Sequence, residues 1–341
     1  MNKTLPVKSW ASLLEQLNID EAEKITQEQQ EAIAGWCRQY IKSDFEFDSL
    51  AATKALVEGC IKLDNDYSSL SAVVDSITNC TVLHKAAMLG LDQFLKVALE
   101  ANSCNINLIN NNLNTALHYA VYGAHFKTVE FLFEYGANAN AINKDNKLPL
   151  NLVTRNYLSE PLTQRKKIFL YLLERTDKKL LNLSDTELKR TLILDLVALN
   201  DFDFIDPVLK INSNLRYALD KRDQNILHLA IIEGSNNIVE KFMTDKKLLG
   251  QKTDNNSTVL HLAARYNRVI LPALLKELGS MTTKLINVQD ERGNTALHYL
   301  TENDTAIDDN LIKQLIDAGA KEDIPNHDGR LPIQSQHSFF I

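Results

Sequence analysis

Glycine and proline are scarce in this chain, 11 and 7 among 341 residues, which excludes long flexible linkers and collagen-like or low-complexity segments. Cysteine is limited to Cys37, Cys60, Cys80 and Cys104, with no C-x-x-C spacing. That rules out a dense disulfide scaffold and, with no secretion-type apolar stretch near residue 1, leads to the expectation of reduced thiols and a cytoplasmic location. An excess of positive charge is also missing: 37 Lys and Arg stand against 44 Asp and Glu, a net charge of -7. A nucleic-acid partner is therefore not expected. No apolar run approaches the roughly 18 residues of a membrane span, so no membrane insertion is expected. Absent too are a phosphate-binding glycine loop, a G-x-S-x-G elbow, a kinase signature set and an H-E-x-x-H helix. No catalytic, cofactor-binding or metal residue is assigned, and the chain is not expected to be an enzyme.

What is present is a recurring motif. Residues 110–142 contain Thr115-x-Leu117-His118, two short helical patterns and a Gly136-Ala137 stop before an Asn-rich turn. Leu83, Leu117, Leu150, Leu194, Leu227, Leu260 and Leu297 hold the same motif position, at steps of 34, 33, 44, 33, 33 and 37 by subtraction. His84, His118, His228, His261 and His298 follow five of these leucines, and Asn151 and Asp195 follow the other two. This pattern resembles the ankyrin repeat family, whose start reads T-P-L-H-x-A-A-x-x-G.

The resemblance implies an all-α ankyrin-repeat solenoid of about seven repeats plus a truncated last one, with an N-terminal helical cap or small helical domain. No such unit has core enough to stand alone, so stability comes from stacked neighbours. Residues 1–75 lack the motif but carry helical stripes such as Trp10, Leu13, Leu14 and Leu17, with a further helix expected through Leu70, Val73, Val74 and Ile77. Repeats 1–3 occupy 76–186, with an insertion near 157–164 ahead of Ile168, Leu172 and Leu173. A degenerate fourth repeat occupies 187–219, where Asp195 takes the His position, Ala198 matches the second Ala, and Pro207 is expected to kink the second helix or shift its start. Repeats 5–7 occupy 220–325, and 326–341 form the truncated C-terminal cap. The short basic clusters Arg165-Lys166-Lys167 and Lys189-Arg190 read as solvated helix faces.

The motif histidines are expected to tie each hairpin to neighbouring backbone, as in ankyrin repeats. His125, His327 and His337 have no ligand at metal spacing, and Cys37 lies on an apolar helix stripe beside Trp36 and Tyr40. By the same resemblance a monomer would bind a protein partner on its concave face, through Tyr122, Arg155, Asn156, Arg222, Glu233, Arg265, Tyr266, Arg292 and Glu302. Ankyrin arrays in Asn- and Lys-rich chains also resemble effectors that intracellular bacteria secrete into host cytoplasm by type IV secretion. The alternative is an effector enzyme whose activity resides in residues 1–75, the repeats serving to target it.

Overall fold

In the computed structural model, residues 73–75, 79–90, 92, 95, 99, 105–155, 162–302 and 309–332 are described. The helices expected before residue 73, Cys37, Asn156 and residues 333–341 lie outside them. The chain divides into two compact units, Met1–Thr176 and Asp177–Ile341.

Val73 and Val74 are β-branched and favour extended backbone over the helix expected there. They form β1 (Val73–Asp75), which pairs antiparallel with β2 (Cys80–Thr81) after a left-handed Asn79 at φ 56°. The ribbon delivers Thr81 as the cap of α1 (Val82–Met88).

In the same unit Thr115, extended at φ -94° and ψ 170°, caps α2 (Ala116–Tyr122). The chain then turns through Ala124 into α3 (Phe126–Glu134), which ends at a left-handed Gly136 with φ 84°. Small Ala86, Ala87 and Ala120 let α1 and α2 lie side by side. Buried Leu83 and Leu117 each add about 1.5–3 kcal/mol of apolar burial. A 3-10 helix, Pro149–Arg155, packs on α2 and is backed by α4 (Leu162–Arg175). Because α4 starts at Leu162, the last residues of the expected insertion are helical rather than loop.

The second unit repeats this helix-pair plan. Its first helices are α5 (Leu192–Ala198), then α7 (Ile226–Ile232), α10 (Val259–Tyr266) and α13 (Ala296–Thr301), each packed on the one before. They are backed in turn by α6 (Phe202–Ile211), α8 (Asn236–Phe242), α11 (Leu271–Leu278) and α14 (Asp309–Asp317). Two short helices, α9 (Lys246–Gly250) and α12 (Thr282–Leu285), lengthen the returns to the next pair. Pro207 lies inside α6 without moving its start, since Phe202 follows the end of α5 by the same interval as Phe126 follows the end of α2.

The register of α5 corrects the sequence alignment. Counted from the Thr191 cap, Ile193 and Leu194 stand where Leu117 and His118 stand in α2, and Asp195 stands one place further on. Ala198 accordingly aligns with Tyr122 rather than with the second Ala, a place taken by Val197. The physical reason is the preceding loop: Asp185 closes on Arg190 (N–H to O, 2.9 Å), one residue further along than Asn110 on Asn114 (3.1 Å). Lys189 and Arg190 thus lie in a loop, with Lys189 left-handed at φ 53°, and not on a helix face.

Candidate binding groove

Each hairpin tip is organised by one short polar side chain. Asn110 Oδ1 accepts from the amides of Asn112 (3.0 Å) and Asn114 (2.9 Å). Asn143, Asp220, Asp290 and Asn326 do the same two and four residues ahead. These bonds replace strand pairing inside a loop too tight for it. The tips are then joined sideways: the amides of Lys144, Lys221, Asp254, Glu291 and His327 donate to the carbonyls of Asn112, Leu188, Arg222, Asn255 and Arg292, all at 2.8–3.0 Å. At Gly293 (φ 75°) a Cβ would meet the His327 backbone at 2.6 Å, so the tips there can approach only because no side chain intervenes.

The motif histidines hold first helices to tips. His118 Nδ1 faces the Thr115 amide (3.1 Å) and hydroxyl (3.0 Å), while its Nε2 donates to the Lys147 carbonyl (3.4 Å) of the following unit. His84, His261 and His298 repeat this toward Asn114, Asn294 and Arg330, and His228 toward Gln251. One ring thus closes a helix start and bridges to the next unit, which requires the neutral Nε2–H tautomer. Burial lowers the pKa of all five and carries His118 and His228 down to about 4. Asn151 serves the near side, accepting from the Leu148 amide (3.0 Å). His125 is a structural residue too: it starts α3, its Nε2 donates to Met88 O (2.9 Å), and Gly90 and Gly123 leave room for its ring.

Within the second unit the tips and the ends of first helices enclose a groove of about 370 Å³. Of the candidate contact residues, Arg222, Glu233, Arg265 and Tyr266 line it together, joined by Arg190, Asn255 and Tyr299. Half-buried Ile232 forms its apolar wall, backed by the buried Leu229 and Leu262. Arg292 and Glu302 are exposed but do not line it, and Tyr122 is exposed on the first unit. Arg155 closes the 3-10 helix. Arg265 extends over the rings of Tyr266 (5.1 Å) and Tyr299 (5.3 Å), and Tyr299 is anchored by donating to Asp290 Oδ2 (2.5 Å). Tyr266 is 50% exposed. Arg190 Nε, buried from solvent, lies 3.7 Å from Asp220 Oδ2, whose other oxygen holds the tip amides. Arg190 and Tyr299 had no sequence signal as groove residues, since they come from helix pairs separated by two others.

Among the described residues no group of His, Cys, Asp and Glu could hold a metal ion, and no helix is long and apolar enough to cross a membrane. The arrangement offers directed hydrogen bonds, cations and aromatic faces.

A family model described as ankyrin repeats (3 copies) matches residues 46–143. The match begins inside the span 1–75 that was read as lacking the motif. Human transient receptor potential cation channel subfamily A member 1 is 25% identical over 229 residues, covering 63% of this chain. The chain spans 18% of the length of that relative. Ankyrin repeats are thus present, and the described residues are helix-rich with almost no strand. Repeats of this class generally mediate protein–protein interaction and are typically non-enzymatic. Neither similarity supports a bacterial-effector origin or secretion into a host.

Proposed function

We propose that the chain is a protein-binding module in which ankyrin-type helix pairs, about seven of them, present hairpin tips and first-helix ends to a protein partner. The observation that supports it is the groove of the second unit, where Arg222, Arg265 and half-exposed Tyr266 stand over an apolar wall. Arginine and tyrosine in such a position combine large contact area with directed hydrogen bonds, the chemistry of interface hot spots. The cation-channel activity in the relative's name is not carried over, because the shared stretch is a small part of that protein.

The test compares the full-length protein with an Arg265→Ala/Tyr266→Ala variant as affinity baits in cell lysate. The double variant is expected to keep its thermal transition and lose the captured partner. Capture that survives both substitutions on a folded bait would show that the partner uses another surface.

A further inference from the structure

We infer that the groove of the second unit takes an extended acidic peptide segment, one whose Asp or Glu side chain is received by Arg222 and Arg265 while its apolar neighbours lie on Ile232 and Tyr266, backed by Leu229 and Leu262. This rests on the binding-module reading and adds the chemistry of the occupant.

The charges lining the groove separate into committed and uncommitted groups. Arg190 is engaged by Asp220, whereas Asp254 accepts only the neutral Asn255 amide at 2.8 Å and keeps its charge. Arg222 and Arg265 have no carboxylate partner among the described residues. A second cavity of about 430 Å³ shares Arg190 and Arg222 with the first and adds Lys221, likewise without a partner among the described residues. Against these three cations stand the exposed carboxylates of Glu233 and of Asp254, the latter lining both cavities, so the uncommitted charge retains one positive excess. A locally cationic trough on a chain of net charge -7 is complementary to an acidic segment.

Arg265 is also preorganised. Its guanidinium is held over two tyrosine rings, one of them fixed by Asp290, so little side-chain freedom remains to be lost when a carboxylate docks. The planar fork pairs with a carboxylate through two parallel hydrogen bonds, a geometry that a lysine or a neutral donor does not offer. Glu233 remains available for backbone amides of the same segment.

The experiment is selection of random phage-displayed peptides of about 12 residues, long enough to cross the groove when extended, on the immobilised full-length protein. Enriched peptides should share an Asp or Glu flanked by apolar residues. Their affinity should fall about tenfold or more in Arg222→Ala/Arg265→Ala and stay unchanged in Glu240→Ala, on the exposed side of α8. Selection on Arg265→Glu should shift the shared charge to Lys or Arg, with circular dichroism confirming that each variant is folded. Enrichment without acidic residues, or an acidic preference that survives Arg265→Glu, overturns the inference and leaves the binding module standing. If no peptide is enriched on any bait, the inference is overturned, while capture from lysate still decides the binding-module reading.

Discussion

Units that carry the tethering histidine and the two that lack it solve the same problem with different means. In the units starting at Thr81, Thr115, Asn225, Thr258 and Thr295, one buried imidazole serves the helix start on one side and a carbonyl of the following unit on the other. At Leu148 the shorter Asn151 reaches the helix start. At Thr191 the equivalent residue is Leu194, wholly buried, so apolar packing takes the place of both hydrogen bonds there. That loop adds the Arg190–Asp220 contact between neighbouring tips, which also places a guanidinium in the groove. The motif is therefore less a fixed residue than a helix start and a neighbouring tip that must be held together, by an imidazole in five units and by other means in two.

Acid should make the comparison sharpest. The histidine pKa values lie below the unfolded value of 6.5 in the folded protein, at about 4 for His118 and His228. The unfolded chain consequently binds more protons as pH falls, so stability is complete above pH 6.5 and is lost progressively toward pH 4. Urea titrations from pH 7 to about pH 4.5 should show a loss on the order of several kcal/mol. His228→Asn should flatten that dependence, and an unchanged slope would mean the ring is not buried in its neutral form.

A smaller separation is expected at neutral pH. His228→Ala leaves the Asn225 amide and the Gln251 carbonyl without their partner, plus a cavity, and should cost about 3 kcal/mol. Asn151→Ala removes one cap and should cost about 1 kcal/mol. Equal shifts in urea midpoint would erase the distinction between a tether and a cap. Between these falls Gly123→Ala, expected to cost about 2 kcal/mol because a Cβ there would meet the Met88 carbonyl and approach the His125 ring to 2.6 Å. Because the nearer obstacle is the Met88 backbone carbonyl, Gly123→Ala/His125→Ala should not recover the lost stability; recovery, read from the melting temperature, would identify the ring as the chief obstacle instead.

Much of this architecture was legible because short spacings carry it. A Thr cap, a Leu two places on and a His three places on lie within one helical turn, so the sequence displays them together. The fourth unit resisted the same reading because its register depends on loop length, and Asp185 closing one residue further along moved Leu194 into the His place. Val73 and Val74 sit at spacings that suit a helix, yet a left-handed Asn79 and pairing to Cys80–Thr81 made them a strand. As for the groove, tip and helix-end positions could be carried over one unit at a time, which brought out Arg222, Glu233, Arg265 and Tyr266. Arg190 was hidden inside a basic dipeptide that looks like an ordinary solvated face, and Tyr299 joins only through packing of α13 on α10.

The most direct measurement of whether the groove is the working surface is site-specific photo-crosslinking from two positions of the full-length protein in cell lysate. A benzophenone amino acid at Tyr266, in the groove, should form a discrete adduct that excess acidic peptide abolishes, whereas the same group at Glu240, on the exposed side of α8, should form none. Adducts of equal yield from both positions, or from Glu240 alone, would contradict a partner seated on the tips and first-helix ends.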